Sequence, residues 1–361
     1  MKIGLVGLSQ TGKTTLFDLL TGREKGAAAA GGKSLANAGT GFVPDDRIDF
    51  LSALYHPKKT TYAKIELADV AGFSVSGEDR SSGAAKFLNN VRPCEALIHV
   101  LRGFESGSVA HDLGNVDPAR DLELVEAELL FADMELVDKR IERIESGKKI
   151  TKENAEELAL LQRCFDWLEQ DGTMREMALS VEERAAIKNY GFLTEKPRLA
   201  VVNLDEAQWK SKTWPNEAAL RAMCAGLNIP LLELCVEMEL EINQLPEEDK
   251  QLFMEDMGIT QPGISVLARA VYGLLGLISF FTVGEDEVRA WTIERGLNAK
   301  GAAGKIHSDI ERGFIRAEVV KYGSIKELGS MAKVKEKGLF RLEGKEYVVA
   351  DGDIINFRFN V

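Results

Sequence analysis

MKIGLVGLSQTGKTTLFDLLTG, residues 1–22, decides the fold. Ile3, Leu5 and Val6 make an apolar run without a polar break, which predicts a strand buried on both faces of a parallel sheet. Gly7, Leu8, Ser9, Gln10, Thr11, Gly12, Lys13 and Thr14 then spell G-x-x-x-x-G-K-[ST], and Thr15-Leu-Phe-Asp-Leu-Leu continues as a helix. Strand before and helix after is the setting that gives this motif its meaning. A nucleoside triphosphate tail is a dense negative charge. Glycines let backbone N–H groups close around it, and the helix N-terminus points its positive end at it. In that arrangement Lys13 reaches the β/γ oxygens and the Thr14 hydroxyl ligates Mg²⁺.

Working outward, Gly26–Gly41 is rich in Ala and Gly and lacks a packing face, which predicts a loop in the slot where such folds carry their first switch segment. Arg47–Tyr55 has helical spacing. Residues 62–70, YAKIELADV, alternate as a strand and run into Asp69-Val-Ala-Gly72. D-x-x-G at a strand end is the second half of a phosphate site: Asp69 can hold Mg²⁺ through water, and the Gly72 N–H can sense the γ-phosphate. Leu97–Leu101 reads as a further buried strand.

From Pro118 to about Ala186 the chain is charged, helical and nearly free of glycine. Leu122, Val125, Leu129, Ala132 and Leu136 follow 3-4 spacing, as do Leu158, Leu161, Phe165 and Leu168. Two helices are expected to fold back as an antiparallel coiled-coil hairpin that protrudes as an arm, since the faces away from the seam are heavily charged, rather than merely covering the sheet. The sheet resumes at Pro197–Asn203 and ends with Pro230–Val236. Asn203-Leu-Asp-Glu206 occupies the position of a base-reading N-K-x-D, or else caps the next helix. From Ile278 the pattern of strands, helix and strands over some eighty residues predicts a β-grasp-like α+β unit. His307 lies there without a partner nucleophile or metal cluster in the sequence.

Composition sets the outer bounds. A chain of 361 residues exceeds one typical core. Its net charge of −12 does not advertise a nucleic-acid binder, so any RNA contact needs a local basic patch. Cys94, Cys164, Cys224 and Cys235 lie far apart, which argues against zinc and against a disulfide framework. No stretch approaches the roughly 18 apolar residues of a membrane span, and the N-terminus reads as a core strand, so a cytoplasmic protein is expected.

With these motifs in order, the chain resembles the YchF-type P-loop NTPases, the Obg-like ATPases of the Obg group. The resemblance runs the full length: phosphate loop, Asp69-Val-Ala-Gly72, helical insertion, Asn203-x-x-Glu206 and a C-terminal TGS domain. Its most specific stretches are Ser279–Gly284, Glu287–Ile293, Ala302–His307 and Asp351–Val361. It implies an α/β P-loop NTPase sheet over 1–117 and 197–277, an inserted coiled coil over 118–196 and the β-grasp-like TGS domain over 278–361. It implies slow hydrolysis of ATP, with GTP possible, and association with the ribosome or ribosomal RNA, without membrane or DNA specificity. The alternative is a nucleotide-gated adaptor that hydrolyses little or nothing.

For the site, the resemblance implies Lys13 and Gly72 as catalytic and Thr14 and Asp69 as Mg²⁺ ligands. Gly7, Ser9, Gln10, Thr11, Gly12, Lys13, Thr14 and Thr15 would hold the phosphates, and Asn203, Glu206, Cys235 and Val236 the purine base. Glu206 carries its carboxylate one methylene beyond the aspartate that selects guanine, so discrimination against adenine should fall. Phe73 stands where Ras-like enzymes place a water-orienting Gln, which predicts slow turnover. Gln10 replaces an Asn that ligates K⁺ in cation-stimulated members, and Lys33–Asn37 lacks the switch threonine, with Ser34 as a substitute. In the TGS unit Lys300, Lys305, Arg312, Arg316, Lys333, Lys335 and Lys337 could form a basic face.

Overall fold

The structure is a computed structural model that describes residues 2–22, 37–70, 72, 80–107, 109–147 and 151–360. Ser34, Phe73 and most of the Gly26–Gly41 stretch therefore lie outside the described residues. The chain divides into two compact units, one of Met1–Gly39 with Glu66–Thr260, the other of Thr40–Ile65 with Gln261–Val361.

The strands are β1 (Lys2–Val6), β2 (Asn37–Phe42), β3 (Lys59–Thr61), β4 (Lys64–Asp69), β5 (Ala96–Arg102), β6 (Arg198–Asn203), β7 (Leu231–Leu234), β8 (Leu277–Thr282), β9 (Glu287–Glu294), β10 (Phe314–Lys321), β11 (Arg341–Glu343) and β12 (Asp353–Phe359). The helices that build the first unit are α1 (Lys13–Thr21), then, after α2 (Asp46–Tyr55) of the second, α3 (Arg80–Val91), α4 (Pro118–Glu145), α5 (Lys152–Glu169), α6 (Val181–Ile187), α7 (Glu206–Ser211), α8 (Glu217–Gly226), α9 (Val236–Gln244) and α10 (Glu247–Asp256). The second unit adds α11 (Gly263–Leu274), α12 (Ala299–Ile306), α13 (Ser308–Arg312), α14 (Tyr322–Leu328) and α15 (Met331–Glu336).

The first sheet has the order β2-β4-β1-β5-β6-β7. β1 lies parallel to both β4 and β5, and β6 runs parallel to β5 and β7. Every residue of β5 and β6 is buried, as their apolar runs require. The Gly-rich loop expected up to Gly41 instead gives way to strand at Asn37. Gly39 makes room for it: a Cβ there would lie 2.5 Å from Thr21 Cγ2 and 2.9 Å from Phe17 Cζ of α1.

Helix α4 does both things its periodicity allowed. Val125, Leu129 and Ala132 pack in one core with Val6, Leu8, Val70 and Leu97. Further along, Val137 and Ile144 join Leu160, Leu161, Cys164 and Leu168 of α5 in a separate core. Asp133 of α4 is fully buried, and its carboxylate accepts the backbone N–H groups of Leu193 and Thr194 at 2.8 and 2.7 Å. That ties the returning chain back to the helix before β6 begins.

The second sheet has the order β11-β10-β12-β8-β9-β3. Ala299, Ala302 and Ala303 of α12 sit among Phe280, Ile293, Val319, Ile355 and Phe357, the helix-in-a-curved-sheet packing of a β-grasp. His307 ends α12 and starts α13 in extended conformation, and its Nδ1 accepts the Asp309 N–H at 3.1 Å. It is a helix cap. One strand comes from far upstream: Lys59–Thr61 pairs in parallel with Glu287–Arg289. Helix α2 accompanies it, capped by Asp45, and Arg47 bridges Asp45 and Asp351, each at 2.8 Å.

Candidate nucleotide site

Strand β1 delivers the chain into the phosphate loop, and two glycines there are obligatory. Gly7 has φ +142°, and a Cβ would sit 2.3 Å from the Val100 carbonyl oxygen; Gly12 has φ +92°, and a Cβ would sit 2.3 Å from Asn203 Nδ2. Gln10 also adopts a left-handed conformation, φ 61°, at the exposed tip of the loop. Helix α1 begins directly after Gly12 with no side chain capping it, so its first N–H groups stay available to an anion.

Lys13 is buried, and its ammonium group donates to the Leu8 carbonyl and, at 3.5 Å, to Thr11 Oγ1. Burial lowers its pKa to about 8, against the opposing pull of Asp69 and Asp112. Thr11 itself is bonded to Leu8 O at 3.3 Å. Thr14 is exposed, and its hydroxyl donates to Asp69 Oδ2 at 2.9 Å. Burial holds the Asp69 carboxyl above its ordinary range, with the Thr14 hydrogen bond and Lys13 pulling the other way. Gly72 comes so close that a Cβ would lie 2.9 Å from Ser9 Cα. The structure thus brings Ser9, Lys13, Thr14, Asp69 and Gly72 together from segments some fifty residues apart. Thr15 follows, half-buried, in the first turn of α1.

Asn203 holds the loop from the far side. Its Nδ2 donates to Thr11 O at 3.1 Å, and its Oδ1 accepts the Val236 N–H at 3.1 Å. One buried amide therefore fastens the phosphate loop, the end of β6 and the start of α9. Cys235 is buried at that start, and burial pushes its thiol up to about 11. Glu206 behaves differently: it is exposed and paired with Lys210 at 2.6 Å, while the helix cap is Asp205, in a reciprocal box with Gln208.

Two neighbours escaped sequence reasoning. His99 lies in β5 opposite Val6, fully buried, with neither ring nitrogen hydrogen-bonded. Burial, with Lys13 and Arg198 nearby, pushes its pKa down to about 3, so the ring is neutral. Its Cδ2 lies 3.5 Å from where a Gly7 Cβ would be. Asp112 belongs to the loop after β5, which Arg102 pins by donating to Val109 O and Phe104 O at 2.7 and 3.2 Å. The only signal in the sequence was a histidine inside an apolar strand. Among the described residues no group of three or more His, Cys, Asp or Glu is placed to hold a metal. A Thr hydroxyl and one carboxylate at 2.9 Å are nevertheless hard oxygen donors of the kind Mg²⁺ takes beside substrate phosphates.

A glycine-built phosphate loop between a central parallel strand and its helix, facing an aspartate at the end of the adjacent strand, defines a P-loop NTPase fold. The sequence is 42% identical over 364 residues to the "Ribosome-binding ATPase YchF" of Bacillus subtilis (strain 168), covering 99% of each chain. It is 38% identical to the proteins of that name from Escherichia coli O157:H7 and Mycoplasma genitalium, again over essentially full length. The family profile YchF-GTPase_C, described as "Protein of unknown function (DUF933)", matches residues 277–360. The solved structure titled "Structure of the Schizosaccharomyces pombe YchF GTPase" superposes with TM-score 0.86 at 28% identity, covering 99% of this chain and 97% of that one. This chain belongs to the YchF family. No helix among the described residues is long and apolar enough to cross a membrane.

Proposed function

We propose that the chain is a cytoplasmic, ribosome-associated nucleoside triphosphatase that binds ATP and hydrolyses it slowly as a conformational switch. The observation that carries this reading is the buried Lys13 at the open N-terminus of α1, beside the Thr14–Asp69 pair at 2.9 Å. Lys13 holds the β/γ oxygens, the loop N–H groups from Ser9 to Thr15 cradle the tail, and Gly72 presents its N–H toward the γ-phosphate. Thr14 and Asp69 would hold Mg²⁺, which neutralises phosphate charge when bound. The names of the bacterial relatives support ATP and the ribosome.

The preference for ATP has its own support. Guanine is selected by a carboxylate that accepts from N1–H and the 2-amino group, and adenine offers neither donor. Asp205 is engaged in capping α7, and Glu206 is exposed and paired with Lys210. Asn203 acts here as a brace for the loop. Turnover is slow because Phe73 cannot orient water. The departure at Lys33–Asn37 from the family's switch sequence favours a second reading, a nucleotide-gated adaptor.

The test is a titration with fluorescent ATP and GTP analogues, followed by phosphate release with and without ribosomes. Tight ATP binding with slow, ribosome-stimulated release is expected. Binding without turnover under any condition leaves the adaptor. Preference for GTP overturns the account of Glu206.

A further inference from the structure

The β3–β9 edge of the second sheet carries a groove of about 340 Å³, lined by Lys59, Thr61, Tyr62, Lys64, Arg289 and Trp291 among others. Cations and rings are interleaved along it. The Arg289 guanidinium carbon lies 3.9 Å from the centroid of the Trp291 ring, and Lys64 Nζ lies 5.4 Å from that of Phe42. Phe42 is 54% exposed, far from the burial expected of a phenylalanine. The indole is held in place: its Nε1 donates to Thr282 Oγ1 at 3.0 Å, and its ring stacks on Phe280 at 6.3 Å. Lys59 is shared with Glu287 at 3.6 Å, but Lys64 and Arg289 have no carboxylate partner among the described residues.

In a chain with net charge −12, this groove gathers three cations, Lys59, Lys64 and Arg289, around the rings of Tyr62 and Trp291. Phosphates are drawn to the cations, and any base presents a π-face to a ring or to a stacked guanidinium, whatever its sequence. The groove is at the small end of ligand-sized cavities, so it admits an unpaired base and not a duplex. We propose that this edge binds single-stranded RNA, with Phe42 and the Arg289–Trp291 stack as platforms and Lys59, Lys64 and Arg289 on the phosphates. This deepens and rests on the ribosome reading, since it names the surface and the nucleic-acid form it takes. It differs from the basic residues noticed in the sequence. Those on α12 and α15, such as Lys305 and Lys335, belong to other elements.

The experiment measures fluorescence anisotropy of labelled 12-nucleotide oligo(U) and oligo(A) with the full chain over a range of salt. Binding by the parent chain is expected. The pair Lys64→Glu with Arg289→Glu should weaken it at least tenfold. The neutral pair Lys64→Gln with Arg289→Gln, which serves if the first does not fold, should lower the salt slope by roughly 1.4, about 0.7 per lost phosphate contact. Phe42→Ala should cost about fivefold or more, the loss of one stacked base. The pair Lys333→Glu with Lys335→Glu on α15 should stay within about twofold of the parent, and thermal melting and ATP binding should be unchanged throughout.

No binding by the parent chain, equal affinity for duplex RNA, or equal losses in the α15 control overturns the proposal. So does displacement by a polyglutamate peptide as effective as the oligonucleotide, which would assign the groove to an acidic protein. Cosedimentation with ribosomes separates the two readings. Ribosome binding with groove variants unimpaired toward oligonucleotide refutes the groove alone. Oligonucleotide binding without cosedimentation refutes the ribosome reading and leaves the groove.

Discussion

Acidification should reveal the cost of the buried imidazole beneath the phosphate loop. His99 has no hydrogen-bond partner and a pKa pushed from 6.5 down to about 3, first by burial and then by Lys13 and Arg198. Its folded pKa is depressed, so between pH 6.5 and about pH 3 the unfolded chain holds a proton that the folded chain does not. Stability then falls as pH falls, by about 1.4 kcal/mol per unit for this one group. From pH 7.5 to pH 5.0 the group is active over 1.5 units, which amounts to about 2 kcal/mol. His99→Leu keeps an apolar side chain of similar reach and removes the titration. Urea denaturation of both proteins at the two pH values measures the difference directly, because other titrating groups are common to both. The parent chain should lose about 2 kcal/mol more than the variant on acidification. Parallel losses, within about 0.5 kcal/mol, would mean that the ring finds a partner or a proton in the folded state and would refute the reasoning. A second comparison sharpens it: without the Lys13 charge, in Lys13→Met, the excess acid sensitivity should shrink.

Three further outcomes follow from the site and the second sheet. Asn203→Ala strands the Thr11 carbonyl and the Val236 N–H in the interior, so denaturation should show a loss of roughly 2–4 kcal/mol, with ATP affinity falling at least tenfold by titration. Lys13→Met removes an ammonium held at a pKa of about 8 instead of 10.5, a burial cost of about 3 kcal/mol at neutral pH. The variant should therefore melt higher without nucleotide while losing nucleotide binding, and the parent chain should itself gain stability as pH rises from 8 to 10.5. Gly12→Ala places a methyl group on Asn203 Nδ2 at positive φ, and equilibrium dialysis should find nucleotide binding abolished in a chain that still folds.

The sequence carried the phosphate loop because its chemistry is local: glycine at positive φ, a lysine and a hydroxyl must sit at fixed spacing for backbone N–H groups to meet phosphate. Asp69 and Gly72 were legible for the same reason, as a strand end. What was lost is what depends on distant partners. The 3-4 spacing of Val125, Leu129, Ala132 and Leu136 is identical whether the helix faces a sheet or another helix, and α4 meets the one and then the other. Around Glu206 two local signals lie over one another, the place of a base-reading motif and the Asp205–Gln208 box with Lys210 that starts a helix. His99 was hidden because a strand pattern records burial and not the absence of hydrogen bonds. Nothing in Lys59-Thr-Thr61 announces a pairing with Glu287–Arg289, since sheet partners are chosen by the whole fold.

That last pairing has a consequence for how the protein is made. Lys58 and Asp286, joined at 2.7 Å, are 228 residues apart in the chain. At a synthesis rate of about 5–20 residues per second, α2 and β3 leave the ribosome roughly 10–45 s before the strand they pair with exists. Through that interval they form a short helix and a three-residue strand with nothing to lie against, too little to be stable alone. A chain broken off before β9 can build its phosphate loop but leaves β3 without the strand it pairs with. Completion of the second sheet is thus a built-in mark of a finished chain.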